Sequence, residues 1–112
     1  MLMLEQLTTF NNDGINSNMK AAPILHERIV LDDDSFVELA VWRLPKPLEG
    51  SAHHFKYRLA LVHKDVCVLR YDNEAGKGDH KHLGAVETQN VFAGLEQLQR
   101  DFWNDVERWR QR

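Results

Sequence analysis

The C-terminal third of the chain constrains the fold most, because it carries one apolar stripe at helical spacing. Six residues recur there at intervals of three or four: Phe92, Leu95, Leu98, Phe102, Val106 and Trp109. That spacing places them on one side of a helix, and Asn90 is suited to cap its N-terminus. An apolar stripe must cover another apolar surface, and the segments before it are rich in strand-forming residues. We therefore expect one amphipathic helix packed on a sheet.

Two hairpins supply the strands of the predicted sheet. Four β-rich segments pair as 24–31 with 36–44 and as 55–63 with 66–71. Lys64-Asp65 forms the two-residue turn of the second hairpin. After Asn73, two glycines among charged residues predict a loop that extends through residue 82. The predicted fold class is α+β, with a four-stranded antiparallel sheet of two hairpins covered by the C-terminal amphipathic helix.

Length and composition fit one globular domain. The 112 residues are 43% hydrophobic and 28% charged, which is ordinary for a folded protein and not typical of a disordered one. Residues 1–20 contain a long run of turn-forming and polar residues. We expect a poorly structured lead at 1–20 and a single α+β domain at 21–112.

Three features of the sequence favour a cytoplasmic protein. The single Cys67 excludes intrachain disulfides, and its apolar strand pattern predicts a buried thiol. No stretch approaches the roughly eighteen apolar residues that a membrane helix needs. The N-terminus also lacks the basic and apolar regions of a signal peptide. We therefore expect cytoplasmic localisation and no membrane contact.

The net charge of −3 is unevenly distributed along the chain. Residues 1–50 carry four basic and eight acidic side chains. Residues 51–82 instead carry six basic and four acidic side chains, together with five of the six histidines. An anionic partner would therefore meet the middle third of the chain.

Polar side chains gather at the end of the second hairpin that lies away from its turn. With a two-residue turn, Tyr57 lies opposite Asp72 and Leu59 lies opposite Arg70. The predicted loop through residue 82 begins at the same end. This end of the hairpin is the candidate functional site.

The residues at this end could together perform metal-free cleavage of RNA. Arginine guanidinium groups clamp a phosphate, a histidine exchanges a proton near neutral pH, and a tyrosine donates or orients a hydrogen bond. The residues assigned to catalysis are Arg70, Tyr71, Asp72, His80 and His82. The residues assigned to substrate binding are Tyr57, Arg58, Asn73, Lys77 and Lys81. This hypothesis needs no metal or other cofactor, because the ribose hydroxyl is the nucleophile and the protein stabilises the charge on the phosphate.

Other hypotheses fit the same residues. His80 and His82 stand one residue apart and, with oxygens from Asp72 or Asp79, would bind zinc in a small metalloprotein. Alternatively, the chain is a non-catalytic module that docks a protein partner through a sheet face or edge. A structural role also stays open, with Arg70 paired to Asp72 and the loop simply solvated.

Five short motifs resemble the TumE-like toxin family over roughly residues 21–109. They are Trp42-Arg43-Leu44-Pro45, Tyr57-Arg58-Leu59, Leu69-Arg70-Tyr71-Asp72-Asn73, Gly78-Asp79-His80-Lys81-His82 and Asp101-Phe102-Trp103. The most specific part is the Arg-Tyr-Asp-Asn stretch followed by the His-rich segment. The resemblance implies the toxin of a bacterial type II toxin–antitoxin pair, with a helix-turn-helix antitoxin as its protein partner. It implies no catalytic mechanism at these positions, so the roles assigned above rest on residue chemistry.

The charge of the chain bears on RNA as the target. Toxins that attack ribosome-bound RNA tend to be basic, whereas this chain is mildly acidic. The positive balance of residues 51–82 keeps RNA as a candidate partner. An endoribonuclease is thus the enzymatic hypothesis, and the sequence leaves a homo-oligomer open.

Overall fold

A computed structural model describes residues 20–112 and shows an antiparallel sheet followed by a helix. Its strands are β1 (Ala22–Val30), β2 (Ser35–Arg43), β3 (Phe55–His63), β4 (Val66–Glu74), β5 (Gly78–Leu83) and β6 (Val86–Gln89), and its helix is α1 (Leu95–Arg110). The six strands lie in the sheet in the order of the chain, so each pairs with its sequence neighbours. The predicted class and the helix packed on an antiparallel sheet are confirmed. The predicted lead at 1–20 falls outside the described residues, except for Lys20.

The predicted number of four strands is wrong, because the segment expected to form a loop builds a third hairpin. The chain turns over residues 75–77 and returns at once as β5, and Gly76 and Gly78 adopt positive φ angles of 84° and 78°. The glycines therefore close a tight turn and do not open a long loop. β6 is short and exposed along its whole length, so it lacks the apolar alternation that marks a half-buried strand.

The turn of the second hairpin is confirmed, but the predicted strand pairing is wrong. Lys64 and Asp65 have φ angles of 49° and 67°, as a two-residue turn matched to strand twist requires. Beyond the turn, the pairing shifts by one residue between Leu61 and Val62. As a result, Asp72 lies opposite Arg58 and not opposite Tyr57. Because neighbouring side chains along a strand point to opposite faces, this shift decides which residues share a face.

The helix covers one face of the sheet and closes the main core. Leu98, Phe102 and Val106 are buried against apolar side chains of the central strands, among them Leu59 and Leu69. Each of these five side chains is at most 2% exposed. Burial of a side chain of this size stabilises the fold by about 1.5–3 kcal/mol, so the stripe and the sheet face hold each other in place.

Two smaller expectations are corrected. The helix begins at Leu95 after Gly94, without a side-chain cap, and not after Asn90. Phe92 therefore precedes the helix and stacks on the His53 ring, with ring centroids 3.7 Å apart. The thiol of Cys67, which pairs with Val62 near the turn, is exposed, so the prediction of a buried thiol is wrong. No helix among residues 20–112 is long and apolar enough to cross a membrane.

Candidate active site

The candidate site residues divide between the two faces of the sheet. Register pairs Arg58 with Asp72, Asp72 with His80, and Arg70 with His82. Directly paired residues point to the same side, so these five side chains share the face opposite α1. We call Arg70, Asp72, His80 and His82 the polar cluster. The structure thus brings together four of the five residues assigned to catalysis.

Arg70 links two members of the polar cluster. Its Nη2 lies 3.0 Å from His82 Nε2, within hydrogen-bond distance. Its Nε lies 3.0 Å from Asp72 Oδ2, but the N–H is not aligned on that oxygen, so this contact is an ion pair and not a hydrogen bond. The Arg70 side chain is 28% exposed. The guanidinium is therefore held by a carboxylate and an imidazole while part of it stays accessible to an anion.

His80 and Asp72 contain buried polar atoms with no hydrogen-bond partner. These are His80 Nε2 and Asp72 Oδ1, which lie 3.4 Å apart. The two side chains are only 4% and 10% exposed. Buried polar atoms are nearly always hydrogen-bonded, and an unpaired one costs about 1–3 kcal/mol. Their presence at the centre of the polar cluster marks a place where a ligand would supply the missing interaction.

Glu87 is a neighbour of this cluster that the sequence did not reveal. It lies on β6 opposite His82. Its Oε2 is 3.5 Å from His82 Nε2 and 3.6 Å from His80 Nε2. Lys77 Nζ lies 3.6 Å from the same oxygen, which places this predicted substrate-binding residue at the rim of the cluster. Glu87 could have been found only by recognising β6 as a strand and setting its register.

The surroundings of His82 keep its imidazole neutral. Burial and the Arg70 guanidinium lower its pKa below the ordinary value, although Asp72 and Glu87 act in the opposite direction. A neutral imidazole has one nitrogen lone pair with which to accept a proton. The contact with Arg70 directs that lone pair to Nε2, on the side of the polar cluster.

Tyr71 and Lys81 lie on the other face, beneath the helix. The Tyr71 hydroxyl donates to Asp105 of α1 at 2.6 Å, and Lys81 Nζ contacts the same carboxylate oxygen at 3.0 Å. Burial and this hydrogen bond raise the pKa of Tyr71, so its hydroxyl stays protonated. The structure therefore does not bring Tyr71 together with the other residues assigned to catalysis. Through Asp105, Tyr71 and Lys81 connect the helix to β4 and β5.

Tyr57 and Asn73 also face away from the polar cluster. Asn73 is fully buried. Its side-chain amide accepts a hydrogen bond from Tyr57 N–H at 3.0 Å and donates one to Phe55 C=O at 2.8 Å. The Tyr57 hydroxyl donates to Asp79 at 2.7 Å, and His53 contacts the same oxygen at 2.7 Å. Asp79, one of the expected metal oxygens, is thus engaged on the helix side of the sheet. Substrate binding by Tyr57 and Asn73 stays a prediction, and their contacts are those of structural residues.

Comparison of the sequence with family models identifies the family of this chain. The model described as toxin TumE matches residues 20–110. The chain belongs to the toxin TumE family. The match includes every described strand and the whole helix, so it spans the sheet that carries the polar cluster. Comparison with curated proteins and with solved structures finds no significant match. The resemblance drawn from the five motifs is confirmed, and with it a toxin family.

Proposed function

We propose that the chain is the toxin of a bacterial type II toxin–antitoxin pair and that it cleaves RNA at the polar cluster. Membership of the toxin TumE family supports the toxin role, and a toxin of this type needs an antitoxin partner. A helix-turn-helix protein encoded beside it is the antitoxin that the family resemblance implies. The chemistry of the polar cluster supports RNA as the substrate.

The convergence of Arg70 and His82 on one sheet face carries this proposal. A phosphate oxygen is a strong acceptor for a guanidinium, so a bound phosphodiester would draw Arg70 from His82 Nε2. His82 would then have its lone pair free beside the bound phosphate. Arg58, opposite Asp72 on the same face, would supply a second positive charge. The site is thus arranged so that substrate binding itself releases the base.

In the proposed reaction, the ribose 2′-hydroxyl attacks the adjacent phosphorus. His82 accepts the hydroxyl proton as the new P–O2′ bond forms, and Arg70 stabilises the charge on the phosphate oxygens. The P–O5′ bond breaks, and the departing oxygen takes a proton from His80. Asp72 lies 3.4 Å from His80 Nε2 and orients that ring. The products are a 2′,3′-cyclic phosphate and a free 5′-hydroxyl.

The test is cleavage of a short oligoribonucleotide by the purified full chain in the presence of EDTA. We expect cyclic-phosphate products from the ribose substrate and none from its 2′-O-methyl analogue. His82→Gln should reduce the rate by about 100-fold or more, since general-base catalysis contributes about 10²–10⁴-fold. Arg70→Gln should reduce it by about 100-fold or more, since the loss of one donor to the transition-state charge costs about 10²–10³-fold. His54→Gln is the matched control, because His54 is exposed, lies outside the polar cluster and should leave the rate unchanged.

Three results would contradict the proposed mechanism. Cleavage of the 2′-O-methyl substrate would show that the ribose hydroxyl is not the nucleophile. Loss of activity in EDTA would show that the reaction needs a metal ion. Equal rates for wild type and both cluster variants would place the reaction elsewhere.

A further inference from the structure

We propose that the polar cluster together with Glu87 is a binding site for a divalent transition-metal ion such as Zn²⁺. Its ligand atoms are His80 Nε2, His82 Nε2, Asp72 Oδ1 and Glu87 Oε2. This goes beyond the metal-free cleavage proposed above, because it assigns the same side chains a second ligand. Two independent observations carry it, namely the spacing of the Asp72, His80 and His82 ligand atoms and the missing hydrogen-bond partners of two of them.

The ligand atoms of Asp72, His80 and His82 lie near the spacing that one tetrahedral ion requires, and Glu87 Oε2 lies beside both imidazoles. Zinc takes nitrogen and carboxylate oxygen ligands at about 2.0–2.2 Å, which sets adjacent ligand atoms about 3.3–3.6 Å apart. Here Asp72 Oδ1 lies 3.4 Å from His80 Nε2 and 3.9 Å from His82 Nε2. Glu87 Oε2 lies 3.6 Å from His80 Nε2 and 3.5 Å from His82 Nε2. Asp72, His80 and His82 alone bring three ligand atoms within 4.8 Å of one another.

Two of the four atoms are buried without a partner. His80 Nε2 and Asp72 Oδ1 make no hydrogen bond, and their side chains are 4% and 10% exposed. A bound cation would satisfy both atoms at once. The unmet bonding capacity therefore lies where the ligand atoms of Asp72, His80 and His82 come together.

The sheet also supplies support around these ligands. Asp72 has its second oxygen, Oδ2, 3.0 Å from Arg70 Nε, which leaves Oδ1 for the metal and fixes the carboxylate from behind. His80 and Asp72 are directly paired across β4 and β5, and His82 and Glu87 across β5 and β6. Ligands on hydrogen-bonded strands hold their spacing better than ligands on a loop.

Two cationic groups lie close to the proposed site and must move away when the metal binds. Arg70 Nη2 contacts His82 Nε2 at 3.0 Å, and Lys77 Nζ lies 3.6 Å from Glu87 Oε2. Both side chains are partly or largely exposed, at 28% and 53%, so each can turn outward. Metal binding thus displaces Arg70 from the imidazole and takes up the lone pairs of both histidines. On the proposed function, this means that zinc would inhibit RNA cleavage.

The site is tested first by binding, without reference to activity. Zn²⁺ is titrated into the EDTA-treated and dialysed full chain by calorimetry, and Co²⁺ is added separately to record the visible bands of a tetrahedral complex. We expect one ion per chain and tetrahedral Co²⁺ bands. Glu87→Gln and His82→Gln should weaken binding by about 10–100-fold or more, since even the loss of an outer-shell partner has effects of that size. His54→Gln should bind as the wild type does.

The variants are chosen so that a loss of binding is not caused by a loss of the fold. Glu87 is 42% exposed, so its conversion to Gln removes a ligand without opening the core, and circular dichroism checks that the fold persists. Binding that is absent, or that falls equally in His54→Gln, would overturn the site. Zinc binding at the cluster without inhibition of cleavage would leave the site standing and contradict the role of His82 as the base. Failure of the site and failure of the proposed function are therefore distinguishable.

Discussion

Asn73, a predicted substrate-binding residue, makes contacts that hold the fold together. Its side chain is fully buried and makes three hydrogen bonds, to Tyr57 N–H, to Phe55 C=O and to Ser51 Oγ at 3.2 Å. These contacts fix the start of β3 and the loop before it to the end of β4. We predict that Asn73→Ala destabilises the whole fold.

The magnitude follows from the groups that the substitution leaves unpaired. Alanine removes the Asn73 side-chain partner of two buried backbone groups, Tyr57 N–H and Phe55 C=O. Each unsatisfied buried group costs about 1–3 kcal/mol, so the free energy of unfolding should fall by about 2–6 kcal/mol. Since small domains are stable by about 5–15 kcal/mol, this loss is a large fraction of the total.

Urea denaturation followed by circular dichroism measures this loss. Asn104→Ala on the exposed side of α1 is the matched control and should change stability by less than about 0.5 kcal/mol. A change below about 0.5 kcal/mol in Asn73→Ala, combined with lost RNA binding, would refute the structural assignment. It would support the predicted substrate-binding role of Asn73.

Three further predictions concern the parts of the fold that position the polar cluster. Burial raises the pKa of Asp105, but the hydrogen bond from Tyr71 and the nearby cations outweigh it and leave the pKa below its ordinary value. This ionised carboxylate therefore stabilises the fold above the unfolded pKa of about 3.9 and loses that effect as pH falls through the lower folded pKa. Asp105→Asn should flatten this acid limb in unfolding measurements from about pH 2 to 6, and an unchanged limb would contradict the assignment. Phe102→Ala should lower the free energy of unfolding by about 3–5 kcal/mol, because the ring is completely buried. A loss under about 1 kcal/mol in thermal unfolding would argue against the packed helix. Gly50→Ala should lower the melting temperature, because φ is +93° and the added Cβ would lie 2.9 Å from Gly78 N. An unchanged melting temperature would show that the loop and β5 are not closely packed there.

The sequence predicts those parts of the fold that rest on local patterns. The helical stripe is visible because Leu98, Phe102 and Val106 repeat at the helical period and are all buried. The turn at Lys64-Asp65 is visible because two polar residues separate two apolar alternations. Both signals lie within a few residues of the chain and need no tertiary information.

The sequence does not reveal the pairing that builds the site. The one-residue shift between Leu61 and Val62 leaves no compositional mark, yet it moves Arg58 to the same face as Asp72. β5 alternates between two polar faces, so Lys81 and His82 look alike in hydropathy although they lie on opposite sides of the sheet. Where both faces carry polar residues, periodicity does not assign a face to each.

The most direct test of the account is growth after induction of the full chain without an antitoxin. We predict that wild type arrests growth, that His54→Gln arrests it equally, and that His82→Gln and Arg70→Gln do not, although both variants accumulate in folded form. Arrest by both cluster variants at the wild-type level would contradict the assignment of toxicity to the polar cluster.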